Sequence, residues 1–194
     1  METLGSVHVR LAEDRDVAEI ASLLTEGAQR QLRLEGSTGW PIPYPLEEVA
    51  LSVRQHVVYV VEIDGGIVAT FTLVWDDLRL WGPQPPIAGY VHKLVVREVW
   101  THRDVGRQTI EWVANHVRDS GRTFLRLDCP GTNRRLIAHY ESLGFRGIRV
   151  VRAGLPGTER TCLLMERPLT SRTANGPRPA SDPPGGESLS QGNR

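Results

Sequence analysis

The chain has 194 residues, 40% of them hydrophobic and 24% charged, enough for one ordinary globular domain whose core needs no disulfide or structural metal. Twenty-three basic residues balance twenty-three acidic ones, which argues against a general nucleic-acid binder, since such proteins carry a basic excess. No apolar run approaches the roughly 18–20 residues that span a bilayer. Met1 to Leu11 also lacks the basic segment and apolar stretch of a secretory signal, so no membrane partner and a cytoplasmic location are expected. The two cysteines, Cys129 and Cys162, are too few for a disulfide framework or a four-cysteine zinc site and are expected as small core residues.

Val7, Val9 and Leu11 alternate with polar residues and predict a first strand. Asp14 or Asp16 then stands where a helix would be capped. Val17, Ile20, Ala21, Leu24 and Ala28 form one face of that helix. Gln29 to Gly36 adds a further helical turn or two, and Gly39 with the Trp-Pro-Ile-Pro-Tyr-Pro run ends it. Leu46 to Gln55 predicts another helix. His56–Glu62 and Ile67–Trp75, joined by the turn signal Asp64-Gly65-Gly66, predict a hairpin. After the Pro-rich loop Gly82–Pro86 come a strand over Gly89–Val96 and a helix over Gly106–Arg118, with Gly106, Ile110, Val113, Ala114 and Val117 on one face. A strand over Phe124–Cys129, a helix over Asn133–Leu143, and strands over Phe145–Val151 and Cys162–Glu166 complete the series. This order predicts an α/β domain over residues 1–170, a mixed, mostly antiparallel central sheet flanked by helices with one βαβ crossover in its second half. Ser171–Arg194 has eight Gly or Pro among its 24 residues and Leu189 as its one bulky apolar residue, so it is expected to be a disordered tail.

The informative stretch is Tyr90 to Phe145. A strand ending in Leu94-Val95-Val96 is followed ten residues later by Gly106 at a helix start. A second strand, Leu125-Arg126-Leu127-Asp128, ends near Asn133, and the next helix carries Tyr140 and then Gly144-Phe145. In this order and spacing the stretch resembles the cofactor-binding half of the GNAT superfamily of N-acetyltransferases, and the resemblance in element order extends over the whole folded domain. It implies the GNAT fold and acetyl-CoA as acyl donor. The turn His102, Arg103, Asp104, Val105, Gly106 and Arg107 would cradle the coenzyme A pyrophosphate, which suits the free N–H groups and positive end of a helix N-terminus. Leu94, Val95 and Val96 would bond the thioester end of the pantetheine arm through their backbone, and Asn133 would lie alongside. Two positions depart from the family pattern: Thr101 stands where Arg or Gln is preferred, and Asp104 where Gly is. An Asp beside a pyrophosphate is repulsive unless it turns outward or pairs with Arg103 or Arg107.

Acetyl transfer to an amine needs a positioned amine, a base, oxyanion stabilisation and an acid for the leaving thiolate. By resemblance Tyr140 is the acid, although it also lies on one helix face with Leu136 and Ile137 and would serve equally as core. His92, two residues from Tyr90 and on the same side of the strand, has a reference pKa suited to base work. It would otherwise simply bond a neighbouring strand or loop. Asp128 at the end of its strand would act directly or through water, or cap the following loop. The acceptor site is expected to include Trp40, Trp75, Asp76 and Tyr90, the first because the family shows a similar Gly/Trp stretch near this position. Aromatics beside carboxylates (Trp75, Asp76, Asp77, Trp81) suit a cationic amine; a solvated loop with Trp packed on its prolines is the plainer account.

No phosphate loop, dinucleotide fingerprint or metal spacing is present in the sequence. The activity that the resemblance implies is transfer of an acetyl or similar short acyl group to a primary amine, preferably of a small molecule, by direct attack in a ternary complex. Homodimers are common in the family. The alternatives are a non-catalytic acyl-CoA- or ligand-binding module on the same scaffold, favoured by Thr101 and Asp104, or a different reaction such as acyl-thioester hydrolysis.

Overall fold

The computed structural model describes residues 7–153 and 160–169. The expected tail lies outside the described residues. Among the described residues, seven strands and four α-helices follow one another as β1 (His8–Leu11), α1 (Val17–Glu35), α2 (Leu46–Arg54), β2 (Val58–Ile63), β3 (Gly66–Val74), β4 (Ala88–Val96), α3 (Val105–Asp119), β5 (Phe124–Pro130), α4 (Arg134–Ser142), β6 (Arg146–Ala153) and β7 (Arg160–Pro168). They form one sheet in the order β1-β2-β3-β4-β5-β7-β6. Only β4 and β5 run parallel, because α3 carries the chain back across the sheet between them. No helix among the described residues is long and apolar enough to cross a membrane.

Local chemistry accounts for the elements. A short 3-10 turn (Asp14–Asp16) leads into α1, and Asp16 accepts the Glu13 N–H at 2.8 Å while both its oxygens take the Arg10 guanidinium at 2.6 and 3.0 Å. α1 is one continuous helix that ends where Gly36 turns left-handed (φ 71°) and donates its N–H to the Leu32 carbonyl. The β2–β3 turn uses positive φ at both Asp64 (51°) and Gly65 (77°), the geometry that matches strand twist in a two-residue hairpin.

The two faces of the sheet are covered differently. α3 and α4 bury Phe71, Ile110, Leu125, Tyr140, Phe145 and Met165 against one face, and each large side chain so buried contributes roughly 1.5–3 kcal/mol. α1 and α2 cover the other face over β2–β4, burying Ile20, Leu24, Tyr44, Val60 and Val95. Next to them on that face, the loop before β4 lays Trp81 over Tyr90 and Leu164. Cys129 and Cys162 are both buried and free, as small core residues.

Candidate active site

The feature that positions the site is a break in the sheet. β4 pairs with β5 from Ala88↔Phe124 to Val91↔Leu127 and no further, although β4 runs on to Val96 and β5 to Pro130. Beyond Val91 the two strands diverge and leave a gap lined by unpaired backbone. At the same point β4 bulges against β3: Thr72 faces His92 and Thr70 faces Val95, so Phe71 is opposed by two residues. Lys93 adopts the left-handed region (φ 52°) to permit it. The bulge exchanges the faces. Before it, Val91 packs on the α3 side and Tyr90 on the other; after it, Leu94 and Val96 pack on the α3 side and Val95 on the α1 side.

Val96 lies opposite Ala69, and the adjacent Arg97 N–H donates to the Val68 carbonyl at 2.8 Å. By the alternation of an antiparallel ladder, the N–H and C=O of Val96 therefore point away from β3, into the gap. The carbonyl accepts Arg30 Nη1 at 3.0 Å. α1 is further tied to this end of β4 by Arg97 with Glu19 and Glu26, and by Arg33 with Glu98 at 2.7 Å.

At the vertex of the gap, His92 and Asp128 continue the register as a side-chain pair, with Nδ1 3.1 Å from Oδ1. In the tautomer whose Nδ1–H donates to Asp128, Nε2 would be the proton-accepting nitrogen. Nε2 lies 3.5 Å from Oδ2 of Asp77. The Asp77 side chain is only 8% exposed; its Oδ1 accepts the Leu80 N–H at 3.1 Å, while Oδ2 is buried with no hydrogen bond. A ring nitrogen and a carboxylate oxygen thus converge on one spot. Among the described residues no group of three or more His, Cys, Asp or Glu is arranged to hold a metal ion.

On the opposite face of the gap stands Tyr140, 8% exposed, its ring edge-on to Phe145 at 5.6 Å. Among the described residues its hydroxyl has no hydrogen-bond partner. Burial, with Cys129 and Asp128 nearby, holds its pKa well above the usual tyrosine value, so the hydroxyl keeps its proton. Burial and Asp128 likewise push the Cys129 thiol up to about 12, which makes it an inert core residue rather than a nucleophile.

The N-terminus of α3 closes the far end. Asp104 is its first flanking residue, left-handed at φ 61°. Glycine is the residue best suited to that conformation, and Asp is among the few others that tolerate it. Its carboxylate turns to Arg107, accepting Nε at 2.9 Å, so it does not stand bare before the helix end. The guanidinium of Arg103 stacks 4.8 Å from the Trp100 ring, and His102 is exposed. Val105 is buried, while a Cβ on Gly106 would meet nothing closer than Val96 Cγ2 at 3.8 Å. The first-turn amides of Val105, Gly106 and Arg107 have no partner within the helix.

The remaining sequence-derived residues divide. Trp40 packs on the α1 face, edge-on to Tyr44 at 6.3 Å. Tyr90 is 1% exposed and its hydroxyl accepts Arg126 at 2.9 Å, so it belongs to the core beneath the Trp81 loop. Trp75 lies across the sheet from His92, against His116 at 6.2 Å and Arg122 at 5.2 Å near the end of α3. Asp76 is exposed, and its neighbour Asp77 is the carboxylate that reaches His92. Asn133 caps α4 by accepting the Leu136 N–H at 2.9 Å and donates to Glu35 at 2.6 Å. The sequence offers Asp76 and Asp77 together; which of them turns inward depends on the path of the loop, and it is Asp77.

The family model for the acetyltransferase (GNAT) family matches residues 26–145, the span that contains the gap, the α3 turn and Tyr140. The S-(2-succino)cysteine N-acetyltransferase of Bacillus subtilis is 29% identical over 140 residues, 70% of this chain and 82% of that protein. Among solved structures, a GNAT acetyltransferase from Listeria monocytogenes superposes with a TM-score of 0.64 at 22% identity, over 87% of this chain and 99% of that one. YncA of Salmonella typhimurium, solved with its cofactor acetyl-CoA, gives 0.63 at 15% identity over 91% of this chain and 100% of the other. At these identities the two structures establish the shared fold.

Proposed function

Because the chain belongs to the acetyltransferase (GNAT) family, whose members transfer acetyl groups from acetyl-CoA, we propose that it acetylates the primary amine of a small molecule in the cytoplasm, by direct attack within a ternary complex. The observation that carries this reading is the end of the β4–β5 ladder at Val91–Leu127. There His92, Asp128 and Asp77 stand on one face and Tyr140 on the other. The acyl donor supplies an electrophilic thioester carbonyl. Val96 N–H faces the gap to meet it, and the free amides of Val105, Gly106 and Arg107 suit its pyrophosphate. Arg107 engages the Asp104 carboxylate, which lessens the repulsion that favours a non-catalytic module.

On the acceptor face, Asp77 Oδ2 attracts the ammonium form and His92 Nε2 takes its proton, with Asp128 holding the ring. The freed amine attacks the carbonyl carbon; as the C–N bond forms and the C–S bond breaks, Tyr140 gives its proton to the departing thiolate, and the second proton lost by the nitrogen passes through solvent to restore the Tyr140 hydroxyl. A small-molecule acceptor is supported by the name of the B. subtilis relative, an N-acetyltransferase of S-(2-succino)cysteine, and by two loops, 37–45 and 75–87, that border the acceptor face.

Calorimetric titration with acetyl-CoA and free CoA, followed by an amine screen with Tyr140→Phe as control, tests the proposal. Micromolar binding and turnover reduced about a hundredfold in the variant at unchanged donor affinity are expected. No binding at millimolar ligand, or acetylation of peptide tails alone, overturns it.

A further inference from the structure

α1 holds both rims of the β4–β5 gap. On the β4 rim, Arg30 donates to the Val96 carbonyl at 3.0 Å, Arg33 pairs with Glu98 at 2.7 Å, and Glu19 and Glu26 take Arg97. On the β5 rim the tie is Glu35, whose Oε1 accepts the side-chain amide of Asn133 at 2.6 Å. Asn133 follows the end of β5 directly, its N–H on the Pro130 carbonyl at 3.0 Å. From Arg30 to Glu35 the helix advances about 7.5 Å, more than the roughly 4.8 Å between paired strands. The last turns of α1 therefore pass from one rim to the other where β4 and β5 have parted.

The two ends of this strap are held unequally. Guanidinium ties fix it to β4, while a single carboxylate–amide bond holds it to the β5 rim. Glu35 is the last residue of α1, where its charge meets the negative end of the helix. The helix gains nothing from a carboxylate there, so the bond to Asn133 accounts for the position. Asn133 in turn caps α4 with Oδ1, which accepts the Leu136 N–H at 2.9 Å, and reaches Glu35 with Nδ2. The tie can open without unravelling either helix.

We propose that the C-terminal end of α1 is a gate over the acyl arm of the donor: Glu35 releases Asn133 to let acetyl-CoA enter or leave the gap and rebinds it to close, while the β4 ties keep the strap in place. This rests on the reading above that the donor occupies the gap, and not on the identity of the acceptor. Glu35 and Asn133 are then positioning residues that set access to the gap.

A gate and a contact differ in kinetics. Loosening a gate speeds entry and release together and leaves Kd almost unchanged, whereas losing a contact speeds release alone. Stopped-flow association and dissociation of CoA, with the full chain at about 0.15 M salt, reads both. Glu35→Ala removes a negative charge, and Asn133→Asp adds one while keeping a cap for α4. Both should quicken entry and release about tenfold, with Kd within about threefold; opposite charge changes cannot both do this by steering. Glu35→Gln combined with Asn133→Asp makes the amide and the carboxylate change places, and should return both rates to within about threefold of the parent. In the ligand-free chain, amide hydrogen exchange over residues 33–36 should quicken in each single variant and recover in the swapped pair, with the thermal melt showing that all three fold. Faster release alone, unaltered rates, or a swapped pair that does not restore them overturns the gate and leaves the transferase reading standing. Failure of CoA to bind the parent chain would overturn both.

Discussion

The β4–β5 pair is two different structures on either side of Val91. Below it the strands are zipped by backbone bonds and pinned from both faces. Gly89 lies so close to α3 that a Cβ would stand 2.6 Å from Val117 Cγ2, and Arg126 is buried between Glu166 at 2.8 Å, Tyr90 and the Trp81 ring. Above it no backbone bonds join the strands. The open half is held from outside, by the guanidinium and carboxylate ties of α1 to Val96, Arg97 and Glu98, and by His92–Asp128 at the vertex. The contrast teaches where the fold keeps its stability and where it leaves room for a ligand. Apolar contact and a buried ion pair close one end, while exposed, exchangeable polar ties guard the other.

Breaking the closed half should produce the largest loss of stability. Arg126→Ala leaves Glu166 buried without its main partner and is expected to cost about 3–5 kcal/mol, read as a shifted midpoint in urea unfolding. Gly89→Ala forces α3 off the sheet and should cost about 1–3 kcal/mol. A midpoint unchanged in both would mean that the zipped half does not anchor the sheet. By contrast, His92→Gln in the open half should leave the midpoint within about 1 kcal/mol, while lowering acetyl transfer about a hundredfold or more. A loss of stability matching that of Arg126→Ala would reassign His92 to structure.

A smaller effect marks the far edge of the sheet. Arg10 holds the Asp16 and Glu62 carboxylates below their usual range. Carboxylates with depressed folded-state pKa values stabilise the fold above their unfolded values, near pH 4, and lose that contribution as pH falls through the folded ones. Arg10→Met should therefore reduce stability at pH 7, by about 1–3 kcal/mol, and the gap to the parent protein should narrow below about pH 4. A gap independent of pH would assign the effect to packing instead.

The parts of this arrangement that depend on local chemistry were legible in the sequence. The α1 stripe, the Asp64-Gly65 turn and the order of strands all follow from periodicity and turn residues, and the structure adds only Leu23 and Gly27 to the buried face of α1. The break after Val91 was legible only through the family resemblance, since a strand reads the same whether or not its neighbour stays paired. The bulge at Lys93 carries no residue signal, because a lysine takes a left-handed conformation there under the constraint of β3. Trp75, expected at the acceptor site, lies against His116 on the α3 face, and Asp77 rather than its neighbour Asp76 reaches His92. Alternation fails once a strand ends. Tyr90 kept its predicted face, but Arg126 and Trp81 enclose it.

The finest test concerns Asp104, where family pattern and local conformation pull in different directions. A left-handed residue at the mouth of α3 is met most easily by glycine, and the carboxylate present instead occupies Arg107. Asp104→Gly should relieve the backbone, free Arg107 and remove one negative charge from the place where a pyrophosphate would sit. The pair is exposed, so the gain is modest: acetyl-CoA affinity is expected to rise about two- to fivefold at low salt and less at high salt. Weaker binding would mean the reverse, that the Asp104–Arg107 pair shapes the turn the phosphates need. Thr101 would then be the place to look for compensation, since its hydroxyl donates to the Glu98 carbonyl at 2.9 Å and so fixes the approach to the same turn.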